Sequence, residues 1–237
     1  MKKQKLFILS ISINVILILA LSILLVKSGY GNKILIKLGI TEPTIETDWS
    51  LFSWQSCLKN LELDCDVVFF GDSITRASAF QNYFEDVSIC NLGLSGDTLS
   101  GMQERTEMIA SVKPEKIFIM GGINDLVNFN GDFDILINKY NSLLDSVKKE
   151  CPEAEIYVES LLPINPEKYG NSISNENIIS FNKLLEQTAK EHKIKYINLY
   201  DLYAVNNTLP EALTEDGIHL KSDAYDKWAE AIRVYIK

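Results

Sequence analysis

Short apolar runs alternate with amphipathic stretches along most of this chain. Five runs have the length and composition of buried strands: Val67–Phe70, Val87–Asn91, Lys116–Met120, Glu155–Glu159 and Lys195–Asn198. After each strand the apolar residues recur at helical spacing, near Thr75–Phe84, Thr98–Ser111, Phe133–Glu150, Ser174–His192 and Ser222–Ile236. Strands that alternate with helices are typical of βαβ units. The pattern therefore predicts an α/β fold, with a parallel five-stranded sheet between two layers of helices.

The start of the chain has a different pattern. Three lysines lie within residues 1–5, and residues 6–26 follow as 21 positions without a charged side chain. A helix of that length spans the hydrocarbon core of a bilayer. A cleaved secretory signal is the alternative, but its apolar region is usually only about 7–15 residues long. Val26–Tyr30 also lacks the small-x-small pattern of a cleavage site.

These features divide the chain into four parts. We expect a cytoplasmic tail at residues 1–5, an uncleaved transmembrane signal-anchor at 6–27, a juxtamembrane segment at 28–60 and a folded domain at 61–237. Lysines are more numerous before the span than after it, which predicts that the N-terminus lies inside the cell. The protein is thus predicted to be a single-pass protein of the cell membrane with an extracytoplasmic domain.

The charge balance limits the partners of the folded domain. Residues 1–27 hold four of the 23 basic residues and none of the 32 acidic ones, which leaves 19 against 32, or a net charge of −13. Nucleic-acid binding depends on Lys and Arg that neutralise phosphates. We therefore expect no nucleic-acid partner, and the sequence does not determine the oligomeric state.

A serine follows the first predicted strand. Val67–Phe70 runs into Gly71-Asp72-Ser73, where the glycine breaks the strand and Asp72 or Ser73 can cap a helix. The N–H groups at a helix N-terminus are unpaired and favour negative charge. The serine is therefore either an ordinary helix cap or a nucleophile whose attack creates an oxyanion beside these donors.

Two further segments follow the next two strands. Gly93 lies in the loop after the second strand, and Asn124 lies after the third, in Gly122-Ile123-Asn124-Asp125. The carboxyl ends of parallel strands lie at one edge of the sheet, which is where ligands bind. The backbone N–H groups of Ser73 and Gly93 and the side-chain amide of Asn124 can thus form a three-donor oxyanion hole. Taken alone, such glycines and asparagines usually shape turns.

The chain has two histidines that could serve as a base. His192 lies in a charged helix end and is expected to be solvated. His219 lies three residues after Asp216, across a glycine, so that a tight turn can bring the carboxylate to the imidazole Nδ1. A loop pairing or a fragment of a metal site would give the same spacing. In this chain, however, the spacing occurs together with the strand-end serine and its donors.

The ordered blocks resemble the SGNH hydrolase superfamily, also called GDSL esterases and lipases. The resemblance covers about residues 61–237 and rests on Gly71-Asp72-Ser73, Gly93, Gly122-Ile123-Asn124-Asp125 and Asp216-Gly217-Ile218-His219. It implies a flavodoxin-like three-layer α/β/α sandwich and metal-free ester hydrolysis. By motif, Ser73 would be the nucleophile, His219 the base and Asp216 its orienting carboxylate, with Ser73, Gly93 and Asn124 as the oxyanion hole. The spacing of these motifs resembles that in the branch of the superfamily that includes platelet-activating-factor acetylhydrolase subunits and bacterial acyl- and acetylesterases.

Several alternatives remain open at this stage. The expected activity is hydrolysis of short acyl esters, acetyl esters above all, on a small molecule, a glycan or a lipid, without a cofactor. A thioesterase or lysophospholipase acting on longer acyl chains would use the same residues, as would a transferase with another acceptor. A catalytically silent binding module on the same fold is the rival from another class.

The cysteines suggest no metal site. Cys57, Cys65, Cys90 and Cys151 show no CxxC or histidine-rich spacing. An exported domain can form disulfides, and Cys57 with Cys65 is the candidate pair. Cys90 lies in a predicted strand and is interpreted as a small buried apolar residue. We expect no obligatory disulfide.

Overall fold

The computed structural model describes residues 64–128, 132–170 and 172–236. Its strands are β1 (Val67–Gly71), β2 (Ile89–Gly93), β3 (Lys116–Met120), β4 (Glu155–Glu159) and β5 (Lys195–Ile197). They form one parallel sheet in the order β2-β1-β3-β4-β5. This is the strand order of flavodoxin-like folds. The α/β prediction with a parallel five-stranded sheet is therefore confirmed.

The helices of the described residues follow the strands as expected for βαβ units. They are α1 (Ser73–Arg76), α2 (Leu99–Glu104), α3 (Glu107–Ser111), α4 (Ile123–Asn128), α5 (Phe133–Glu150), α6 (Pro166–Tyr169), α7 (Asn175–Glu191), α8 (Tyr200–Tyr203) and α9 (Tyr225–Ile236). Short 3₁₀ turns lie at Phe80–Asn82, Glu211–Leu213 and Ser222–Ala224. The long helices α5, α7 and α9 lie where the sequence pattern predicted them.

The helix predicted at Thr75–Phe84 is wrong, because α1 ends at Arg76. The side-chain amide of Asn91, on β2, donates to the carbonyls of Thr75 (2.8 Å) and Ser78 (3.0 Å). The amide thus satisfies carbonyls that have no intrahelical partner at the end of α1 and in the turn after it. Likewise, the predicted helix Thr98–Ser111 is split into α2 and α3.

Aromatic residues stack across three neighbouring strands on one face of the sheet. Phe69, Phe118 and Tyr157 are register partners on β1, β3 and β4, and their ring centroids lie 5.0 and 4.6 Å apart. Helix α9 covers this face, with Trp228 against Phe80 at 5.2 Å. These large buried rings dominate the packing of this layer.

The other face is covered by α2, α5 and α7. Successive strand residues point to opposite faces, so Phe70 lies on this side. Arg105, which follows α2, lies over the Phe70 ring at 4.1 Å. Helix α5 contacts both α2 and α7. The two helical layers around the sheet make a three-layer sandwich.

A disulfide corrects the prediction for the cysteines. Cys65, just before β1, is bonded to Cys90 on β2, with a Cα–Cα distance of 5.8 Å. The interpretation of Cys90 as only a buried apolar residue is therefore wrong, while the expectation that no disulfide is obligatory stays a prediction. Cys57, the partner proposed for Cys65, lies outside the described residues. Cys151 is a free, buried thiol.

The predicted membrane anchor at residues 6–27 also lies outside the described residues. In the part of the chain that the structure describes, no helix is both long and apolar enough to span a bilayer. The juxtamembrane segment 28–60 is outside this part as well.

Glu159 is a buried acid at the carboxyl end of β4. It is 1% exposed, and the Trp228 indole Nε1 donates a hydrogen bond to its Oε1 at 2.6 Å. Burial raises the pKa of Glu159 to about 8, although the bond from Trp228 opposes this rise. The group therefore keeps its proton in the folded protein at neutral pH.

In the Glu159→Gln variant, the free energy of unfolding should fall less than in wild type as the pH rises from ~4.3 to the folded-state pKa of Glu159. The unfolded chain releases the Glu159 proton near pH ~4.3, whereas the folded protein holds it up to pH about 8. The contribution of Glu159 to the free energy of unfolding is thus full below pH ~4.3, and it is lost as the pH rises through the folded-state pKa. Gln keeps an oxygen for Trp228 but does not ionise. Urea unfolding at acidic and mildly alkaline pH measures the difference, with exposed Glu153→Gln as the control; equal pH slopes in wild type and Glu159→Gln would contradict it.

Candidate active site

The loops that follow β1, β2 and β3 meet at the carboxyl edge of the sheet. Gly71, the last residue of β1, pairs in register with Gly93 on β2 and Met120 on β3. A Cβ on Gly71 would lie 2.3 Å from the carbonyl oxygen of Met120 and 2.2 Å from the Thr75 hydroxyl. Only glycine fits at this position, where the chain leaves β1 before α1 begins at Ser73.

Ser73 is the first residue of α1, at the carboxyl end of β1. The side chain of Asp72 is the helix cap, because its Oδ1 accepts from the backbone N–H of Ile74 at 2.9 Å. The N–H of Ser73 lies in the first turn, where it has no intrahelical partner. The sequence left open whether Ser73 was only a cap, and the structure gives the cap to Asp72.

Ser73, His219 and Asp216 form a continuous chain of hydrogen bonds. Ser73 Oγ lies 2.8 Å from His219 Nε2, and His219 Nδ1 lies 2.5 Å from Asp216 Oδ2. A carboxylate can only accept, so Nδ1 carries the ring proton and Nε2 is left to accept from the serine hydroxyl. This arrangement can remove the proton from a serine as it attacks an electrophile.

Asp216 is held as a carboxylate. Burial by itself raises the pKa of Asp216, but hydrogen bonds from the His219 ring and from the backbone N–H groups of His219 and Ile218 bring it down to about 2. Both backbone bonds go to Oδ1, at 2.9 and 3.0 Å. With Oδ1 occupied by backbone, Oδ2 remains for the imidazole.

The turn between Asp216 and His219 is fixed from two sides. Gly217 has φ +93°, and its N–H donates to the Thr214 hydroxyl oxygen at 2.9 Å. Its carbonyl accepts from the Asn165 N–H at 2.7 Å. A Cβ on Gly217 would lie 2.7 Å from the Asn165 carbonyl oxygen. The turn that carries the imidazole therefore requires glycine for both its conformation and its packing.

Asn124 lies at the start of α4 and points its amide toward the loop after β2. Its Nδ2 donates to the carbonyl oxygen of Asp97 at 2.8 Å. A side-chain amide has two N–H bonds, so one remains after this contact. The structure thus brings the loops that carry Ser73 and Asn124 together with the loop after β2, as the sequence predicted.

Gly93 differs from the expectation. Its N–H donates to the side-chain Oδ1 of Asn91 at 2.9 Å, and α1 packs so closely that a Cβ on Gly93 would lie 2.2 Å from the Arg76 nitrogen. Its N–H is therefore engaged, and the glycine is needed for the approach of α1. Gly96, three residues later, has φ +74° and open space around its Cβ position. Its N–H has no hydrogen-bond partner among the described residues, so Gly96 offers an unengaged backbone donor in this loop. This positive φ is a property of the folded backbone, and the sequence pattern does not show it.

Four charged side chains are buried beneath these loops. Asp72, Asp97 and Asp125 are fully buried, and Arg105 is 4% exposed. Burial raises the pKa of Asp72 to about 7 and that of Asp125 to about 6. One carboxylate oxygen of each has no hydrogen-bond partner within the part of the chain that the structure describes. Burial also raises the pKa of Asp97, which Arg105 opposes through an ion pair at 2.6 Å. Sequence reasoning missed Arg105, because a basic residue in an amphipathic stretch ordinarily lies on the solvent face.

His192 lies apart from this cluster, at the end of α7. It is half-buried rather than solvated, because its Nε2 lies 2.8 Å from Asn141 Oδ1 on α5 and Lys148 donates to its carbonyl. His219 is thus the histidine that meets the serine. Across residues 64–128, 132–170 and 172–236, no group of three or more His, Cys, Asp or Glu side chains could hold a metal ion.

Comparison with known proteins gives a family match over most of the described chain. Residues 69–227 match the sequence model of the GDSL-like lipase/acylhydrolase family. No curated protein sequence matches the chain significantly.

Solved structures share the fold. A candidate platelet activating factor from Streptococcus pneumonia is 23% identical with a TM-score of 0.70, covering 78% of this chain and 92% of its own. A candidate acylhydrolase from Bacteroides fragilis is 24% identical with a TM-score of 0.67, covering 81% and 98%. The acetyl xylan esterase AlAXEase is 20% identical with a TM-score of 0.62, covering 72% and 99%. The family match spans well over half of the sequence, so the chain belongs to the GDSL-like lipase/acylhydrolase family and is a hydrolase.

Proposed function

We propose that this protein is a serine esterase that hydrolyses short-chain acyl esters, acetyl esters above all, through an acyl-enzyme. The observation that carries the proposal is the hydrogen-bond chain from Ser73 through His219 to Asp216. A silent binding module would need no such chain. We assign Ser73 as the nucleophile, His219 as the base and Asp216 as the carboxylate that orients it.

The reaction has two halves. Ser73 Oγ attacks the ester carbonyl while His219 Nε2 takes its proton, and the alcohol then leaves with that proton. In the second half His219 removes a proton from water, which attacks the acyl-enzyme and releases the acid and the free serine. The negative charge of Asp216 stabilises the imidazolium in both halves, which its low pKa permits.

The oxyanion is bound by donors from the three loops. The N–H of Ser73 and the second N–H of Asn124 Nδ2 are two of them. The sequence named Gly93 as the third, but its N–H is engaged by Asn91, so we assign Gly96. The Asp97 carbonyl fixes Asn124 at 2.8 Å before any substrate binds, and such preorganised donors lower the barrier most.

The exposure of the site supports a short acyl group on a large or polar alcohol. The side chains of His219 and Asp216 are 43% and 51% exposed, so the described residues do not cover the imidazole. A long acyl chain gains affinity from a deep apolar groove. Acetyl xylan esterase, one of the similar structures, removes the kind of group proposed here. A thioesterase or lysophospholipase acting on longer chains is the alternative.

We also propose that residues 6–27 anchor the protein in the cell membrane, with residues 1–5 cytoplasmic and residues 61–237 outside the cytoplasm. The uncharged run of 21 residues and the lysines before it support the anchor and its orientation. The Cys65–Cys90 bond supports the location, because disulfides persist in oxidising compartments and are rare in the cytosol.

Asn124→Ala should lower kcat for p-nitrophenyl acetate by about 10²–10³ with little change in KM. A donor to the oxyanion binds the transition state more strongly than the substrate, and its loss costs about this factor. Asn141→Ala, which removes a similar amide far from the site, is the control and should retain wild-type kcat. An Asn124→Ala enzyme within about twofold of wild type would contradict the assignment.

Ser73→Ala should abolish turnover of a series of p-nitrophenyl esters, from acetyl to lauroyl, that the wild type hydrolyses. The wild type should react fastest with the acetyl ester and should be labelled covalently by a fluorophosphonate, whereas Ser73→Ala should not be labelled. The physical reason is that the acyl-enzyme needs the Ser73 oxygen.

The two readouts of this series separate the alternatives. Wild-type rates in Ser73→Ala would reject the nucleophile. A labelled wild type that is fastest on the lauroyl ester would support the thioesterase or lysophospholipase instead. A wild type with neither turnover nor labelling would support the silent binding module.

The full chain should stay in the membrane fraction after alkaline carbonate extraction, and a variant that lacks residues 1–27 should be released. Carbonate removes peripheral proteins but does not extract a membrane-spanning helix. Protease added outside cells whose inner membrane is intact should degrade the catalytic domain. Release of the full chain by carbonate, or protection of the domain from that protease, would contradict the anchor or its orientation.

A further inference from the structure

Arg105 contacts three of the polypeptide segments around the proposed active site, namely the ends of β1 and β2 and the loop after β2. It lies at the C-terminal end of α2 and is 4% exposed. Its Nε donates to Asp97 Oδ2 at 2.6 Å, its Nη1 to the Leu92 carbonyl at 2.6 Å and its Nη2 to the Gly71 carbonyl at 2.9 Å. One guanidinium therefore joins the ends of β1 and β2 to the loop that follows β2.

These three acceptors lie close to the reactive groups along the chain. Gly71 is two residues before Ser73, and Leu92 starts the segment that leads to Gly96. Asp97 follows Gly96 directly, and its own carbonyl accepts from Asn124. The contacts of Arg105 thus lead to the nucleophile and to both donors outside α1.

We propose that Arg105 is a positioning residue that fixes the separations between Ser73, Gly96 and Asn124 and so sets the shape of the oxyanion hole. The proposal rests on the function proposed above. Arg105 does not touch the substrate; it acts through the Gly71 and Leu92 carbonyls and through Asp97.

The chemistry of the contact explains why an arginine is required. The guanidinium is flat, and its N–H groups point in fixed directions, so its three acceptors must keep fixed relative positions. The ring of Phe70, at 4.1 Å, supports one face of this plane. A lysine would supply the same charge to Asp97, but a single ammonium on a flexible stem does not impose the same fork geometry.

Arg105→Lys tests this difference, because it keeps the charge and loses the geometry. We expect kcat for p-nitrophenyl acetate to fall about 10- to 100-fold with KM nearly unchanged, since a misplacement of about 1 Å at a reacting centre costs this much. The inhibition constant of phenylboronic acid, which forms a tetrahedral adduct with a serine nucleophile, should rise in parallel. Rates are counted per active site by fluorophosphonate titration, so that unfolded protein does not contribute.

Val147→Ala is the matched control for lost stability. Val147 is fully buried near the C-terminal end of α5, away from the site. This variant should lower the melting temperature and leave kcat per active site and phenylboronic acid inhibition unchanged. A purely structural role for Arg105 would make Arg105→Lys behave in the same way, and that result would overturn the proposal.

Asp97→Asn is the second variant, and it decides the matter if Arg105→Lys does not fold. It removes the carboxylate that anchors the Arg105 Nε and keeps a side-chain oxygen for the Thr98 N–H. We expect kcat per active site to fall about 10-fold with KM nearly unchanged; wild-type kcat would overturn the proposal. Turnover in Ser73→Ala, by contrast, would reject the proposed mechanism itself, so the two failures are distinguishable.

Discussion

The hydrogen bond between Ser73 and His219 is the interaction on which the site depends. It joins residues separated by 146 positions, so it forms only when the sheet is complete and the C-terminal segment has docked. A second bond supports that docking, because the Tyr225 hydroxyl at the start of α9 donates to the Ile74 carbonyl at 2.7 Å. Helix α9 is thereby fixed to α1, one residue from the nucleophile, while it also covers the aromatic face of the sheet.

The buried charges under the site are better understood as positioning than as stabilisation. A buried ion pair loses hydration, and this loss can exceed the attraction between its charges. Asp97 and Arg105 nevertheless lie together in the interior, near two further buried acids, each with one oxygen that accepts no hydrogen bond from a described residue. Polar groups with unmet hydrogen bonds and raised pKa values are typical of functional sites. What this arrangement provides is a fixed geometry at the junction of three loops.

The sequence was sufficient for the fold class, because strand and helix periodicities alternate clearly and the strands are strongly apolar. It also selected Ser73, Asp216 and His219, which the structure joins by hydrogen bonds, and Asn124, which contacts the loop after β2; each of them follows a strand or shares a tight turn with another. It failed where tertiary contacts decide the local structure. Helix α1 ends at Arg76, where an amide on β2 satisfies the Thr75 carbonyl, and local propensity does not contain this contact.

The sequence named Gly93 as a backbone donor without its tertiary contacts, which engage its N–H. Gly93 ends β2 and Gly96 lies in the loop that follows, and the backbone conformation and the contact with Asn91 distinguish them. The pairing of Cys65 with Cys90 can be inferred once the order of the strands is known. Once β1 and β2 are adjacent and parallel, Cys90 lies beside Val68, and Cys65 is only three residues earlier.

The stack of Phe69, Phe118 and Tyr157 constrains the register between β1, β3 and β4. Each strand rises about 3.3 Å per residue, and a shift by one residue would move an aromatic ring to the opposite face. The stacked rings therefore oppose a shift in the register of these three strands. The loops that carry the site residues begin a fixed number of residues after these rings. Side chains in the middle of the sheet therefore determine how far apart those loops lie at its carboxyl edge.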